Sequence, residues 1–265
     1  MNRKFLTVFL SLVIAFSLLL PAGTVSALTS EDTQYCGIDV SVWQGEIDFS
    51  KVKSDGVKAV YIRAGEGANI VDRYFERNYE KVRAAGLKYG FYHYVTARSV
   101  SEAEEQADFF ANLIQTKPYD MRAAMDFENL SGLSAKEAVS IAKAYMKRLN
   151  ERLGHKPAVY SDAYDAASVW KSSLKEYPLW IADYGASKPY SIGSWDTWSG
   201  FQYSDKGDVK GVSGHVDMDK FRGDIFLTDE EKEATKEIRH SYSKANDGCD
   251  CEAEGASCDI CNTTD

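Results

Sequence analysis

Residues 123–130 read AAMDFENL, and this stretch decides how the rest of the chain is interpreted. It is a short apolar run, typical of a buried strand, that carries two acids at its end. On a strand, residues i and i+2 share a face with their Cα atoms about 6.6 Å apart. Asp126 and Glu128 are therefore predicted to point together to one side and Phe127 to the other. Because burying an uncompensated charge is costly, this pair calls for a chemical reason.

Short apolar runs alternate with amphipathic stretches from Tyr35 to about Leu227. The predicted strands are Gly37–Val42, Ala59–Ala64, Lys88–Val95, Ala123–Phe127, Pro157–Ser161, Leu179–Tyr184, Gly200–Tyr203 and Val216–Phe221. The predicted helices are Arg73–Ala85, Ser101–Ile114, Ser134–Leu153 and Ala163–Trp170. Repeated strand–helix alternation indicates parallel strands covered by helices. Little helix separates the last three strands, so we predict an α/β fold: a shortened TIM-like barrel of about five βα units followed by three strands.

One predicted helix has clear signals at both ends. Ser134 and Glu137 have the spacing of a capping box, and Gly154 is a typical C-terminal stop.

Acids occur near the predicted ends of three strands. Asp39 lies in the first, Asp126 and Glu128 in the fourth, and Asp217 in the last. Catalytic groups of such barrels lie at the C-terminal ends of the strands, so these four acids are expected to converge. Neighbouring carboxyl groups push each other's pKa values apart, which allows one to act as an acid and the other to stay ionised. This arrangement is used to cleave glycosidic bonds. The alternative is a structural pair of acids held by Arg63 or by lysines at the barrel rim.

Several aromatic and polar residues on the same strand ends are candidates for substrate binding. They are Trp43, Tyr92, Tyr94, Tyr160, Trp180 and Gln202. Flat rings suit contacts with sugar rings, but they also suit a protein core. His93 either orients a sugar or packs as a structural residue.

The N-terminus resembles a secretory leader. Arg3 and Lys4 precede the apolar run Phe5–Leu20, and Val25 and Ala27 form an A-x-A-like site. We predict a signal peptide over residues 1–27, cleaved after Ala27, and a secreted mature chain that does not span a membrane. An uncleaved anchor is the alternative, although the run is short for a bilayer and is interrupted after Leu20.

The charge of −9 is concentrated at the C-terminus. Residues 228–265 contain eleven acids and four bases, which leaves residues 28–227 close to neutral. A body without a basic stripe is not expected to bind nucleic acid. We therefore predict a barrel domain over residues 28–227 and an acidic tail over residues 228–265, with a charged helix over Thr228–Lys244.

The tail contains four cysteines, Cys249, Cys251, Cys258 and Cys261. Outside the cytoplasm, disulfides are the first expectation, with three possible pairings. A zinc site made of four thiolates and free or intermolecular thiols remain open as alternatives. Cys36, beside the first strand, is predicted to be a buried free thiol.

The body as a whole resembles the glycoside hydrolase family 25 lysozymes, which are N-acetylmuramidases. The resemblance is carried, in the family's order, by GIDVSVWQGEIDF, YIRAGEG, GFYHY, AMDFEN, AVYSD, PLWIADYG, FQYS and GHVDMDKF, over residues 36 to about 223. It implies a flattened β/α barrel that hydrolyses the β-1,4 bond between N-acetylmuramic acid and N-acetylglucosamine in peptidoglycan. No metal or organic cofactor is implied. We expect glycan strands as the binding partner and a monomer.

The resemblance also implies roles for the four acids. Glu128 matches the general acid and Asp126 its partner carboxylate, while Asp39 and Asp217 match the acids that shape the polar floor of the site. Cleavage with retention is implied, with either the substrate's acetamido group or Asp126 as the nucleophile.

Three residues depart from the family pattern. Phe201 stands where Trp is usual, Asp183 where Arg is frequent, and Asp219 where Asn is frequent. These changes leave the four acids intact and concern substrate contacts.

Two rival functions stay open from the sequence: a chitinase-like glycosidase, which would use the same D-x-E pair, and a non-catalytic glycan-binding module. A metal-dependent deacetylase is disfavoured, because no two of His93, His155, His215 and His240 have the spacing of paired ligands.

Overall fold

The computed structural model describes residues 33–246. The predicted leader and the four tail cysteines lie outside this part of the chain. In chain order the strands are β1 (Tyr35–Val40), β2 (Ala59–Glu66), β3 (Ile70–Val71), β4 (Lys88–Tyr94), β5 (Ala124–Asp126), β6 (Ala158–Asp162), β7 (Leu179–Ala182), β8 (Gly200–Gly207) and β9 (Val216–Phe221). The helices are α1 (Phe49–Ser54), α2 (Phe75–Ala85), α3 (Val100–Ile114), α4 (Ala135–Leu153), α5 (Ala163–Asp165) and α6 (Asp229–Asn246).

Eight of these strands close into a barrel. The order is β1-β9-β8-β7-β6-β5-β4-β2, and β1 also pairs with β2, which completes the ring. Pairing is parallel from β1 through β2 and on to β8, whereas β9 is antiparallel to both β8 and β1. The predicted α/β barrel of about five βα units followed by three strands is confirmed. Helix α1 and the short strand β3, an antiparallel addition to β2, were not predicted.

The element boundaries follow from local chemistry. The Ser134 hydroxyl accepts from the amide of Glu137, and the Glu137 carboxylate accepts from the amide of Ser134, so the predicted capping box begins α4. Gly154 ends α4 in the left-handed conformation at φ 71°. The predicted helix over Ala163–Trp170 is instead α5 followed by a π-helical turn over residues 166–170.

The barrel encloses one apolar cluster, and a larger core lies between the strands and the helices. Inside, Tyr61 stacks on Trp180 with ring centroids 4.5 Å apart, and Phe221 meets Tyr61 edge to face. Gly200 faces this cluster, where an added Cβ would lie 2.7 Å from the Trp180 ring. A glycine here therefore gives the large rings the room to fill the barrel interior.

Helix α6 corresponds to the charged helix predicted over Thr228–Lys244 and packs on the N-terminal end of the barrel. Arg122 forms a bidentate ion pair with Glu231 at 2.7 and 2.9 Å and also donates to the backbone of Asp224 and Lys156. The side chain of Thr235 is buried in the same contact. In the described part of the chain, no helix is long and apolar enough to span a membrane.

We expect Arg122→Met to lower the free energy of unfolding by about 1.5–3 kcal/mol, the usual range for hydrogen bonds to charged groups. The reason is that the substitution removes the Glu231 pair and leaves carbonyl oxygens without a donor. Urea unfolding of Arg122→Met, Glu231→Gln and the double variant measures the coupling between the two residues. Strictly additive effects would show that the ion pair does not stabilise the docked helix.

Candidate active site

The acid pair lies at the carboxyl end of β5, as predicted. Asp126 is the last residue of the strand and is buried, whereas Glu128 follows it and is exposed to solvent. Their side chains share a hydrogen bond. Phe127 points the other way and packs with Trp170 in the outer core.

The environment of this pair favours retention of a proton. Burial, followed by the charge of Glu128, raises the pKa of Asp126 well above its usual range, and burial raises the pKa of Glu128. The Oδ1 atom of Asp126 is buried and accepts no hydrogen bond from residues 33–246. This environment favours one proton shared between the two carboxyl groups over two ionised carboxylates, and such a proton would lie at the mouth of the barrel.

Asp39 and Asp217 face each other across the β1–β9 pair. Asp39 is buried, and its Oδ2 accepts from Nε2 of Gln202 at 2.6 Å. Burial, followed by the charges of Asp205 and Glu128, raises the pKa of Asp217 to about 6. The charge of Glu128 raises the pKa values of Asp39 and Asp217, and the charge of Asp39 raises that of Asp126. The four predicted acids therefore lie close enough together to interact.

The alternative interpretation, a structural pair of acids held by Arg63, required an ion pair between Arg63 and these acids. Arg63 pairs with Asp72 instead. Its Nε donates to Oδ2 of Asp72 at 2.9 Å, and the same oxygen accepts from the amide of Val42. Arg63 lowers the pKa of Asp126 only as a secondary effect that burial outweighs. The pair therefore has no cation of its own from this arginine.

Tyrosines and one glutamine connect the acids to the cavity wall. The hydroxyl groups of Tyr160 and Tyr184 both donate to Oε1 of Gln202 at 2.8 Å, and Gln202 in turn donates to Asp39. This chain of hydrogen bonds fixes the orientation of the Gln202 amide and of the Asp39 carboxylate.

Two further predicted binding residues, Tyr92 and Tyr94, project from β4 toward the same acids. Tyr92 is buried beside Asp39 and Asp126, and Tyr94 is half-buried beside Asp126 and Glu128.

A cavity of about 380 Å³ opens in front of Glu128. Its wall includes three tyrosines that were not predicted from the sequence, Tyr164, Tyr184 and Tyr190, all at least half exposed. The backbone amide of Tyr190 donates to Oδ2 of Asp183 at 2.8 Å, so this departure from the family pattern orders the loop that carries Tyr184 and Tyr190. A second cavity of about 360 Å³, between α6 and the barrel, contains none of the four acids.

Two tryptophans behave differently from each other. Trp43 is 81% exposed on the short 3-10 turn after β1 and is available to a ligand. Trp180 is 1% exposed, so its prediction as a groove residue is wrong. Its ring fills the barrel interior between Tyr61 and Tyr160, where it supports the site from below.

His93 is structural. It faces the helices, where its Nδ1 pairs with the Tyr145 hydroxyl at 2.9 Å and its ring stacks on Phe110. Burial lowers its pKa to about 3, so the ring stays neutral.

The prediction that Cys36 is buried is wrong. This residue of β1 is exposed to solvent, because it lies on the outer side of the strand near the bottom of the barrel.

We expect Asp217→Asn to stabilise the protein at pH 7 and to leave its stability unchanged near pH 4. The folded-state pKa of Asp217 is raised to about 6 from the usual value near 4. The unfolded chain therefore loses this proton more readily than the folded protein, and Asp217 increasingly destabilises the fold as the pH rises from about 4 through 6. Thermal unfolding at both pH values, beside the exposed control Asp196→Asn, measures the effect. Equal stabilisation at pH 4 and pH 7 would contradict this explanation.

The closed barrel and its convergent carboxyl groups, with tyrosines around the cavity, form the kind of site that glycoside hydrolases use. Residues 38–212, well over half of the chain, match the family model described as glycosyl hydrolases family 25, and the chain belongs to this family.

Similar proteins agree with this assignment. The chain is 38% identical to the autolytic lysozyme of Clostridium acetobutylicum over 191 residues, which cover 72% of this chain and 57% of that protein. It therefore spans little more than half the length of that relative. It is 35% identical to lysozyme M1 of Streptomyces globisporus, covering 71% of this chain and 67% of that protein. The crystal structure of a lysozyme from Streptomyces coelicolor superposes with a TM-score of 0.66 at 31% identity, covering 78% of this chain and 99% of that one.

Proposed function

We propose that this protein hydrolyses the β-1,4 bond between N-acetylmuramic acid and N-acetylglucosamine in peptidoglycan. The observation that carries the proposal is the hydrogen-bonded pair of Asp126 and Glu128 at the open cavity. The names of the relatives, an autolytic lysozyme and lysozyme M1, support peptidoglycan as the substrate class. The leader-like sequence over residues 1–27 supports action outside the cytoplasm, on the cell wall.

In the first step, Glu128 protonates the glycosidic oxygen and the bond from C1 to that oxygen breaks. Glu128 is the member of the pair that reaches solvent, so it is the one that can contact the leaving group. Asp126, buried behind it, orients the acetamido group of the sugar and stabilises the positive charge that develops there. As Asp126 takes up this role, its ionised form is favoured and the shared proton passes to Glu128.

The spacing of the pair favours the acetamido group as the nucleophile. In the usual retaining arrangement the acid and the nucleophile flank the bond about 5–5.5 Å apart. Two carboxyl groups that share a hydrogen bond are closer than this, so Asp126 is poorly placed to attack C1 directly. The acetamido oxygen attacks C1 instead, an oxazolinium ion forms, and Glu128 then deprotonates the water that opens it. The product retains the anomeric configuration.

The proposal is tested by digesting purified peptidoglycan with residues 28–265 and identifying the fragments by mass spectrometry. Fragments that end in reducing N-acetylmuramic acid are expected. Reducing N-acetylglucosamine ends, or cleavage of chitin oligomers at a similar rate, would support the chitinase-like alternative. Binding to the wall without new reducing ends would instead indicate a glycan-binding module.

A further inference from the structure

Asp219 is an additional acid beneath the four acids of the candidate site, at a position where the family pattern often has Asn. It lies on the inner face of β9, two residues from Asp217, and it is completely buried. Its Oδ1 accepts from the indole Nε1 of Trp180 at 2.8 Å. In the sequence, Asp219 is visible only as a departure from the family pattern that concerns substrate contacts.

The second oxygen of Asp219 has a different environment. Its Oδ2 is buried and accepts no hydrogen bond within the described part of the chain. The side chain instead shares a hydrogen bond with the carboxyl group of Asp39. Two carboxyl groups form such a bond only when one of them carries a proton, because two carboxylates have no donor between them.

The surroundings decide where this proton resides. Asp39 already accepts from the amide of Gln202 at 2.6 Å, which favours its ionised form. Asp219 lies deeper, among the rings of Tyr61 and Trp180. Burial raises the pKa of both Asp219 and Asp39 well above the usual range. The hydrogen bonds from Gln202 and Asp219 act to lower the pKa of Asp39, whereas the hydrogen bond to Asp39 and the Asp39 charge raise the pKa of Asp219 further. The proton therefore resides on Oδ2 of Asp219 and is donated to Asp39.

We propose that Asp219 is a positioning residue that remains a neutral carboxylic acid and, by donating its proton to Asp39, keeps Asp39 ionised and fixed at the floor of the site. In this role Asp219 is the chemical equivalent of an amide donor. The inference rests on the proposed function for its effect on activity, but the protonation state can be measured without a substrate.

The other titratable groups around Asp219 determine how it responds to pH. These groups are Asp39 and Cys36 on β1, Tyr61 on β2, Tyr203 on β8 and Asp217 on β9. All of them are acids, so each becomes more negative or stays neutral as the pH rises. When Asp219 finally ionises, it places a second negative charge beside Asp39 and the shared hydrogen bond is lost. Activity and stability are both expected to fall on this alkaline limb.

The test compares wild type with Asp219→Asn and Asp219→Leu, two side chains of similar size of which only Asn can donate to Asp39. We expect Asp219→Asn to retain most of the neutral-pH activity and to move the alkaline limb of the kcat/KM profile to higher pH or abolish it. We expect Asp219→Leu to lose about tenfold or more in kcat/KM, because Asp39 is no longer held in place. Circular dichroism shows whether each variant is folded.

An infrared difference spectrum of wild type minus Asp219→Asn at neutral pH gives a readout that does not depend on activity. The carbonyl band of a protonated carboxyl group is expected in this difference. Its presence would support the inference even if peptidoglycan proved not to be the substrate. A carboxylate band in its place, or an Asp219→Asn variant as impaired as Asp219→Leu with an unchanged alkaline limb, would overturn it.

Discussion

Glu128→Gln is expected to lower the rate of peptidoglycan hydrolysis by about 10²–10⁴-fold, the usual contribution of a general acid–base group. The amide has almost the same shape as the carboxyl group, but it can neither give a proton to the leaving oxygen nor accept one from water. Because Glu128 is exposed at the cavity, its loss should not destabilise the fold. Binding of the variant to insoluble peptidoglycan should also persist.

The measurement is the release of reducing ends from purified peptidoglycan over a range of enzyme concentrations. Glu104→Gln is the matched control, because it is the same substitution at an exposed position of α3, away from the cavity. Glu104→Gln should retain the wild-type rate. If Glu128→Gln also retained it, the acid would have to be another residue and the assignment of the pair would be wrong.

Trp180→Ala is expected to lower the free energy of unfolding by about 3–5 kcal/mol, the usual cost of truncating a buried large aromatic residue. The Trp180 ring stacks on Tyr61 and meets Tyr160 edge to face at 4.9 Å, so its removal leaves a cavity in the barrel interior. It also removes the indole N–H that Asp219 accepts. Urea denaturation followed by circular dichroism measures the loss.

Trp43→Ala provides the comparison for Trp180→Ala. Trp43 is 81% exposed, and its truncation is expected to change stability by no more than about 0.5 kcal/mol. Similar losses for the two variants would contradict the placement of Trp180 at the centre of the barrel. If Trp43 contacts the glycan, its truncation should raise KM while leaving the stability unchanged.

The pattern of alternating strands and helices was sufficient to predict the barrel, and the spacing in AAMDFENL was sufficient to predict how Asp126 and Glu128 point. Both rest on local regularities: a strand alternates its side chains between two faces, and parallel strands end at the same rim. The capping box of Ser134 and Glu137 is equally local and was confirmed.

Residues whose role depends on depth were predicted less well. Trp43 follows β1 and Trp180 is the second residue of β7, yet Trp180 fills the interior and Trp43 lies in solvent. Burial depends on what the neighbouring strands contribute, such as Gly200 of β8 beside the Trp180 ring. Tyr164 comes from the short helix α5, and Tyr184 and Tyr190 come from the loop after β7, so no shared periodicity indicates that they meet at one cavity.

Asp183 and Asp219 are two further residues whose contacts only the tertiary structure shows. In the sequence each is only a departure from a family motif. In the structure Asp183 orders a loop through the amide of Tyr190, and Asp219 meets Asp39 across two strands far apart in the chain.

The sequence by itself determined the fold class, the family resemblance and the set of four acids, because these depend on residue type and local spacing. Only the tertiary structure decided which acids share protons and which aromatic rings face the cavity. Protonation depends on burial and on neighbours brought together from distant strands, and no local pattern in the chain encodes these contacts.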